Sequence, residues 1–378
     1  MKANKTDMLA MLGGGQLGMF FVIAAQRLGF RVTVLDPDEK SPAGKIADVH
    51  LCADYSNSNA LDKIIESCLF VTTEFENIPF STLEYLEKKL VVRPSSSAVA
   101  VVQNRILEKT FLRDSGLPVG PFFVIESADD VDSAPKNIFP AILKVAQFGY
   151  DGKGQFHVNN IVDLKDAYNQ AGKAPCVLEK KLLLDLEVSV VLARDHNEQQ
   201  IYFPVAENKH TNGILDISFS PARIPSDIAS LAKGYAQQIA QKLNYIGVMA
   251  VEFFIVDEKL YVNEIAPRPH NSGHFTLDAC VHNQFDLQVR TLTGLDLVDP
   301  QEKSNAIMVN ILGDIWFKNG TYVNPDFDIL NRENNVNLHL YGKEKARKGR
   351  KMAHYTLTGD DFNKLLDKAK ILKAMLSE

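Results

Sequence analysis

The chain has 378 residues, of which 46% are hydrophobic and 23% charged, and its formal net charge is −6. This composition is typical of a soluble globular protein with two or three domains, and the acidic balance gives no electrostatic reason to expect a nucleic-acid partner. The 4 cysteines lie far apart without a C-x-x-C pair, which argues against a zinc site or a disulfide framework. We find no secretory signal and no apolar run near the ~20 residues of a membrane span, so we expect a cytoplasmic protein without a membrane partner.

The first elements predict a β-α-β unit. An apolar strand at 8–12 is followed by a glycine turn at 13–18, a helical pattern, and a second strand at 31–35 that ends at Asp36. The turn matches G-x-G-x-x-G, which is typical of dinucleotide-binding dehydrogenases. It is equally suited to a small phosphate ester at the helix N-terminus, so both interpretations stay open.

The strand at 69–73 carries Glu74 and Glu76 at its C-terminal end. Ligands bind at that end in open parallel sheets, although solvated loop carboxylates are the alternative. The segment 93–97 predicts a domain linker. A helix with Arg105 and Lys109 follows it.

Residues 141–158 predict a strand, a glycine-rich loop and a second strand. Lys144 lies within the apolar first strand, where a lysine is rare unless it is paired. The loop, 149–155, contains Lys153 and three glycines that let backbone N–H groups approach an anion. It is not a Walker A loop, because no Ser or Thr follows the lysine. A flexible hairpin tip is the alternative.

Further strands are predicted at 175–179 and 186–192. The stretch 247–266 then predicts a hairpin, and a register centred on Glu258 places Glu252 opposite Glu264. The same register pairs Val256 with Leu260 and Phe254 with Val262. Two opposed carboxylates repel each other unless a divalent cation such as Mg²⁺ lies between them. The alternative is a slipped register that leaves one glutamate in water.

The loop 267–274 is rich in hydrogen-bond donors. Its His270 and His274 lack the H-E-x-x-H glutamate, so we interpret them as loop hydrogen-bonding groups and not as zinc ligands. Strands are predicted at 306–312 and 336–341, and a basic run follows between 343 and 351. That run is either a solvated face or a segment that closes over an anionic substrate.

Five motifs together resemble one family. They are the turn 13–18, Thr72-Thr-Glu-Phe-Glu-Asn77, Gly149-Tyr-Asp-Gly-Lys-Gly-Gln155, the segment 262–274, and Gly349-Arg-Lys-Met352. In this order, over nearly the whole chain, they resemble the N5-carboxyaminoimidazole ribonucleotide synthetases of the ATP-grasp superfamily. Ala353 departs from the glycine that the family usually has there, which adds a methyl group but removes no functional group.

The resemblance implies an α/β and α+β fold in three domains. It predicts a Rossmann-like substrate-binding domain at 1–103, a central ATP-grasp domain at 104–300, and a small C-terminal β-rich domain at 301–378 that closes the substrate site. It also implies a homodimer.

The resemblance assigns three sets of binding residues. ATP would be bound by Arg105, Lys144, Gly149, Tyr150, Asp151, Gly152, Lys153, Gly154, Gln155, Glu179, Lys180, Lys181, Leu182, Glu187, His210, Asn263 and Glu264. The aminoimidazole ribonucleotide would be bound by Gln16, Leu17, Glu74, Tyr150, Asp151, Arg268, Asn271, Lys343 and Arg350, the last two at its phosphate. Mg²⁺ would be held by Glu252 and Glu264.

The implied reaction is the carboxylation of 5-aminoimidazole ribonucleotide by ATP and bicarbonate through carboxyphosphate, a step of purine biosynthesis. Catalytic roles are expected for Lys144, Asp151, Glu74 and Arg268, with Asp151 or Glu74 handling the amine proton. Three other functions remain open on the sequence. They are a formate-dependent glycinamide ribonucleotide formyltransferase on the same scaffold, an NAD-dependent dehydrogenase suggested by the first β-α-β unit alone, and a nucleotide sensor without turnover.

Overall fold

A parallel sheet forms the N-terminal part of the chain in this computed structural model, which describes residues 2–147 and 154–377. Its five strands run in the order β3-β2-β1-β4-β5. The strands are β1 (Met8–Leu12), β2 (Arg31–Leu35), β3 (Val49–Leu51), β4 (Phe70–Thr73) and β5 (Val91–Val92). The helices are α1 (Gln16–Arg27), α2 (Ser58–Ser67), α3 (Phe80–Glu87) and α4 (Ser96–Val102). Strand order reverses between β1 and β4, so the carboxyl ends of these two strands form a topological switch point, where such sheets bind ligands.

The predicted strands at 8–12 and 31–35 have the observed bounds. The predicted linker at 93–97 is wrong in its second half, because α4 begins at Ser96. The Ser95 side chain accepts a hydrogen bond from the backbone N–H of Ala98 and so caps this helix. Serine-rich composition therefore marked a helix start and not an extended connection.

The next unit is a four-stranded antiparallel sheet with strand order β6-β9-β7-β8. Its strands are β6 (Phe122–Ile125), β7 (Ala141–Val145), β8 (Gln155–Val158) and β9 (Cys176–Lys180). The helices are α5 (Arg105–Asp114), α6 (Ala128–Ser133) and α7 (Ile161–Gln170). Asn104 caps α5, and the buried face of this helix carries Glu108 and Lys109 as well as Leu112. Charged side chains on a buried face indicate that α5 borders a polar site.

A large antiparallel sheet follows, with the main order β15-β14-β10-β12-β13-β16-β20-β19. Its strands are β10 (Leu186–Arg194), β11 (Gln200–Tyr202), β12 (Ala206–Thr211), β13 (Ile214–Ser220), β14 (Gly247–Val256), β15 (Lys259–Ala266), β16 (Asn305–Leu312), β19 (Val336–Leu340) and β20 (Lys351–Gly359), and a separate ribbon contains β17 (Phe317–Lys318) and β18 (Thr321–Tyr322). The helices are α8 (Ser226–Lys242), α9 (Thr276–Ala279), α10 (Gln284–Thr293), α11 (Asp328–Asn331) and α12 (Phe362–Ser377). The C-terminal strands thus continue the sheet that carries the glutamate hairpin.

The apolar core lies between these layers. One cluster packs α8 against β10 and β14 through residues such as Ile239, Val190 and Met249. Another joins Phe20 of α1 to Phe285 of α10 and to Tyr341, so it contains residues from all three regions of the chain. This second cluster fixes how the N-terminal sheet meets the C-terminal strands. No helix within the described residues is long and apolar enough to span a membrane.

Candidate functional site

The glycine turn after β1 is closed by the carboxylate of Glu74, which follows β4. Glu74 accepts hydrogen bonds from the backbone N–H groups of Gly15 and Leu17, the latter at 3.1 Å. Burial raises the pKa of Glu74, while the bond from Gly15 and the charge of Lys343 act in the opposite direction. The side chain is therefore not a solvated loop carboxylate. It lies at the N-terminus of α1, where the sequence predicted that a phosphate ester could bind. Gln16 and Leu17 are the first residues of the helix beside it.

The carboxylate of Asp36 forms hydrogen bonds within the same turn. Its carboxylate accepts hydrogen bonds from the Gly14 N–H at 2.7 Å, the Asp38 N–H at 2.8 Å and the Tyr55 hydroxyl at 2.8 Å. The dehydrogenase interpretation needs this acidic residue to bind a ribose hydroxyl. Here the carboxylate instead stabilises the turn.

Gly15→Ala is expected to destabilise the protein by about 2 kcal/mol or more and to raise the KM for the substrate of this turn, because the added Cβ would overlap Glu74 Oε1. Urea unfolding and steady-state kinetics measure the two effects. The matched control is Gly234→Ala in α8, where an added Cβ meets no heavy atom within 4 Å. That change should stabilise by about 0.5–1 kcal/mol. Equal effects of the two substitutions would contradict the close fit of Glu74.

Two lysines and a glutamate form a buried cationic pocket. Glu179 of β9 lies 3.0 Å from Lys144 Nζ and 3.1 Å from Lys109 Nζ. The same side chains line a cavity of about 180 Å³, together with Gly120, Ile142, Lys180, Lys181, Leu182, Leu184, Phe254 and Val262. The expectation that Lys144 is paired is confirmed. The pocket combines a net positive charge with apolar walls, which suits an anionic ligand that carries a flat ring.

The ion pairs of Glu179 make a pH-dependent contribution to stability. Burial alone would raise the pKa of this carboxyl, but Lys144 and Lys109 lower it from 4.5 to about 2. The contribution is therefore complete above about pH 4.5 and is lost as the pH falls towards 2.

The difference in unfolding free energy between the wild type and Glu179→Gln should accordingly be largest above pH 5 and shrink towards pH 2. Urea unfolding followed by circular dichroism at several pH values measures it. Glu66→Gln, at an exposed position of α2, should show no such trend. A Glu179→Gln difference that does not change with pH would contradict the paired state.

Lys109 was noted in the sequence but not assigned to the site. It is only 2% exposed, and besides Glu179 it donates a hydrogen bond of 2.8 Å to the backbone carbonyl of Asn263. Lys109 lies four residues after Arg105, so both project from one face of α5. Arg105 contacts Glu264 Oε2 at 3.2 Å. This i, i+4 spacing was the signal that could have identified Lys109.

The two glutamates of the hairpin are paired, as predicted. Glu252 of β14 and Glu264 of β15 are direct cross-strand partners. The predicted register of the tip is wrong, because the observed turn has two central residues, Asp257 and Glu258, both with positive φ. The observed neighbouring pairs are Val256–Lys259, Ile255–Leu260, Phe254–Tyr261 and Phe253–Val262. A bulge next to Glu252 then leaves Asn263 as an extra residue on β15, which returns the glutamates to register.

The surroundings of this pair suit a divalent cation. Burial and the Glu264 carboxylate raise the pKa of Glu252, which means that two adjacent negative charges are unfavourable here without a cation. The buried Oδ1 of Asn263 has no hydrogen-bond partner among the described residues, while its Nδ2 donates to Glu252 Oε2 at 3.3 Å. Carboxylate and amide oxygens are the ligands that Mg²⁺ prefers. Glu252, Glu264 and Asn263 therefore fit a Mg²⁺ site.

Glu187 and His210 lie together beside the glutamate pair, on β10 and β12. His210 Nδ1 contacts Glu187 Oε2 at 2.6 Å. Burial lowers the pKa of His210, but the bond to Glu187 and the charge of Glu252 outweigh it and raise the pKa overall. The structure thus brings these two predicted ATP-binding residues into direct contact.

The donor-rich loop after β15 connects the hairpin to the switch point of the N-terminal sheet. Arg268 Nε donates to Glu76 Oε2 at 2.6 Å. Burial would raise the pKa of Glu76, yet the Arg268 charge lowers it overall. His270 Nδ1 lies 2.8 Å from Ser272 Oγ, and His274 Nδ1 lies 3.1 Å from Gln284 Nε2, which confirms both as loop hydrogen-bonding groups.

The basic C-terminal run divides into two groups. Lys345, Arg347 and Lys348 are exposed, as expected for a solvated face. Lys343 and Arg350 are half-buried. Burial raises the pKa of the Glu74 carboxyl, and the charge of Lys343 acts in the opposite direction, while Arg350 donates a hydrogen bond of 2.8 Å to the Lys345 carbonyl. These two residues were predicted to bind a phosphate.

Five predicted residues lie outside the described residues, namely Gly149, Tyr150, Asp151, Gly152 and Lys153. At the described end of that loop, Gly154 has φ +70° and its carbonyl accepts from the Val145 N–H at 3.0 Å. Gln155 is the cross-strand partner of Lys144. The predicted strand-loop-strand is therefore confirmed on both sides of the loop.

Three family models match the chain in succession. They are the ribonucleotide synthetase preATP-grasp domain at residues 7–103, the ATP-grasp domain at 110–285, and the phosphoribosylaminoimidazole carboxylase C-terminal domain at 306–368. This confirms the fold class expected from the resemblance.

Proteins with related sequences or structures match this chain over nearly its full length. N5-carboxyaminoimidazole ribonucleotide synthase of Staphylococcus aureus strain COL is 38% identical over 362 residues, which cover 94% of this chain and 93% of the relative. A crystal structure of the Staphylococcus aureus synthetase complexed with ADP has a TM-score of 0.89 at 36% identity and 99% coverage of both chains. The Aspergillus clavatus enzyme, in complex with ADP and 5-aminoimidazole ribonucleotide, has a TM-score of 0.89 at 27% identity, covering 98% of this chain and 99% of that one.

These matches agree with the arrangement of the site and leave the dehydrogenase and formyltransferase interpretations without support. The chain belongs to the N5-carboxyaminoimidazole ribonucleotide synthase family of ATP-grasp enzymes.

Proposed function

We propose that this chain carboxylates 5-aminoimidazole ribonucleotide with bicarbonate at the expense of ATP, giving N5-carboxyaminoimidazole ribonucleotide, ADP and phosphate in purine biosynthesis. The observation that carries the proposal is the Glu252–Glu264 pair beside the pocket of Lys109 and Lys144. Paired carboxylates and buried lysines suit a nucleoside triphosphate with its divalent cation. The relatives' names supply the identity of the acceptor.

ATP lies in the cavity between β7, β9 and the hairpin. The segment from Glu179 to Leu182 borders the adenine ring, and Glu187 with His210 binds the ribose. Lys144 and Lys109 exchange part of their contact with Glu179 for phosphate oxygens. The other residues assigned to ATP are Arg105, Gly154, Gln155, Asn263 and Glu264, with the loop 149–153 assigned from the sequence alone.

Glu252, Glu264 and Asn263 would hold Mg²⁺, which would neutralise charge on the phosphate oxygens. Arg105 keeps Glu264 in place through its 3.2 Å contact. His270 Nε2, 3.4 Å from Glu252 Oε1, orients the second carboxylate.

The chemistry begins when a bicarbonate oxygen attacks the γ-phosphorus and the bond to ADP breaks. Cleavage of the C–O bond of the resulting carboxyphosphate releases CO₂ and phosphate. The exocyclic amine of the ribonucleotide then attacks the carbon atom of this CO₂. Lys144 and Arg268 stabilise the negative charge that develops on the transferred oxygens. Because Arg268 is held by Glu76 in a partly buried position, its guanidinium needs little reorganisation.

The ribonucleotide binds at the switch point, between the N-terminal sheet and the C-terminal residues Lys343 and Arg350. Gln16, Leu17 and Glu74 contact its base and ribose, Arg268 and Asn271 border the reacting amine, and Lys343 and Arg350 bind its phosphate. Glu74 is suited to take the amine proton, because burial already raises its pKa. Asp151 is the second candidate for that proton.

The family resemblance also predicts a homodimer in the cytoplasm, where ATP is available. Light scattering coupled to size-exclusion chromatography tests the dimer. One peak at twice the mass of 42.1 kDa is expected, and a monomer at working concentration would contradict it.

The function is tested by phosphate release from Mg-ATP with bicarbonate, with and without 5-aminoimidazole ribonucleotide, in formate-free buffer. Release that requires both co-substrates is expected. Turnover only with formate and glycinamide ribonucleotide would assign the formyltransferase instead. Tight ATP binding without release under either condition would indicate a nucleotide sensor.

A further inference from the structure

A partly buried chain of polar side chains connects the ATP-grasp region with the C-terminal strands. We call Asp278, His339, His354 and Tyr341 the junction chain. His339 Nε2 lies 2.9 and 3.1 Å from the two carboxylate oxygens of Asp278. The rings of His339 and His354 stack with centroids 4.6 Å apart and planes 16° apart. His354 Nδ1 lies 2.9 Å from the Tyr341 hydroxyl.

The junction chain ends at the substrate loop. The Tyr341 ring lies edge-on to the ring of His274 in that loop, with centroids 6.2 Å apart. Asn271 of the same loop is paired with Asn310 of β16, whose Nδ2 also donates to the Leu215 carbonyl at 2.8 Å. Tyr341 thus lies where the loop after β15 meets the C-terminal strands.

Tyr341 also contacts Lys343, one of the two residues proposed to bind the phosphate of the ribonucleotide. The Lys343 ammonium lies 5.2 Å from the centroid of the Tyr341 ring, within the range of a cation–π contact. Lys343 Nζ donates to the Lys351 carbonyl at 2.8 Å as well. One fully buried side chain therefore links the junction chain to a residue that the proposed function assigns to the ribonucleotide.

We propose that Tyr341 is a positioning residue for the ribonucleotide: its ring places the Lys343 ammonium, and the hydrogen bond between its hydroxyl and His354 lets the junction chain hold that ring in place. The inference rests on the proposed function, since it concerns binding of the same substrate. It assigns a role to four side chains that do not themselves contact the reacting atoms. It predicts a specific effect on the ribonucleotide and none on ATP.

A metal site is the alternative role for part of this cluster. Ligand atoms of Asp278, His339 and His354 lie within 4.8 Å of one another. The two imidazoles are stacked nearly parallel, however, so their nitrogen lone pairs lie in separate planes and do not converge on one point. Metal ligation needs both lone pairs directed at the ion. The geometry favours the hydrogen-bonded chain.

The test compares Tyr341→Phe with the wild type. Phenylalanine keeps the ring beneath Lys343 but removes the hydroxyl, which leaves His354 Nδ1 without its partner. The KM for the ribonucleotide should rise about tenfold, while the KM for ATP stays within a factor of two. The control is Tyr355→Phe in β20, at a fully buried tyrosine whose hydroxyl donates to the Ala369 carbonyl at 3.3 Å. It should lower the melting temperature without changing either KM.

A second pair of variants tests the far end of the chain. Asp278→Asn keeps an acceptor oxygen for His339 and should stay close to the wild type, whereas Asp278→Ala should raise the KM for the ribonucleotide as Tyr341→Phe does. The proposal is overturned if the wild type turns over normally and Tyr341→Phe leaves that KM unchanged, or if Tyr355→Phe raises it equally. One equivalent of zinc in the purified protein, lost in Asp278→Ala, would also overturn it. A wild type without turnover would instead reject the proposed function.

Discussion

Glu264→Gln is expected to reduce bicarbonate- and ribonucleotide-dependent phosphate release by at least about 10²-fold, because it removes one of two charged ligands from the proposed Mg²⁺ site. Glutamine keeps the shape of the side chain but carries no charge. The remaining Glu252 then faces a cation with half of its former counter-charge. The substitution also removes a charged partner of Arg105, whose guanidinium lies 3.2 Å from the Glu264 carboxylate.

The matched control is Glu258→Gln, on the same hairpin but at its exposed tip. It should leave the rate within a factor of two. Phosphate release under saturating Mg-ATP measures both variants, and melting temperatures show whether Glu264→Gln is still folded. A folded Glu264→Gln enzyme with more than a tenth of the wild-type rate would contradict the assignment of this glutamate to the cation.

Lys144→Met is expected to lower kcat/KM for ATP by about 10²- to 10³-fold. Methionine fills the space of the lysine stem in the pocket but cannot neutralise phosphate oxygens. It also leaves the buried Glu179, which is 9% exposed, with Lys109 as a charged contact in the pocket. Both changes weaken the attraction of this pocket for a polyphosphate.

Lys165→Met controls for the loss of one positive charge in the same sheet unit, since Lys165 pairs with Asp132 on the surface. Its kinetics should match the wild type. Isothermal titration with a non-hydrolysable ATP analogue separates the binding effect from turnover. An unchanged Kd and an unchanged rate for Lys144→Met would show that the nucleotide phosphates lie elsewhere.

The hairpin shows how far local sequence arguments reach. The alternation of apolar residues predicted both strands and placed Glu252 opposite Glu264, and the structure confirms that pair. The predicted position of the turn was wrong by one residue. The bulge at Asn263 adds one residue to β15, so the predicted Glu252–Glu264 pair still forms. The carbonyl of the bulged Asn263 accepts a hydrogen bond from Lys109, which lies on a helix more than a hundred residues earlier in the chain. No pattern within the hairpin contains this information.

Contacts between segments that are distant in sequence account for the other features that the sequence did not predict. The sequence predicted that Lys144 has a partner, yet Glu179 became that partner through the pairing of β7 with β9. Glu74 was placed at the edge of the sheet, but its hydrogen bonds to the start of α1 follow from strand order, which composition does not encode. His339 lies in β19 and Tyr341 directly follows that strand, two residues apart like ordinary core residues. Their polar partners become visible only when β19 meets β20.

The most direct test of the account follows the oxygen of bicarbonate. If bicarbonate attacks the γ-phosphorus, and carboxyphosphate later breaks at its C–O bond, ¹⁸O-labelled bicarbonate must transfer one ¹⁸O to each phosphate released with N5-carboxyaminoimidazole ribonucleotide. Mass spectrometry of the phosphate in the presence of 5-aminoimidazole ribonucleotide measures this transfer. We predict one labelled oxygen per product formed. Unlabelled phosphate, formed at the same rate as the product, would contradict the proposed mechanism.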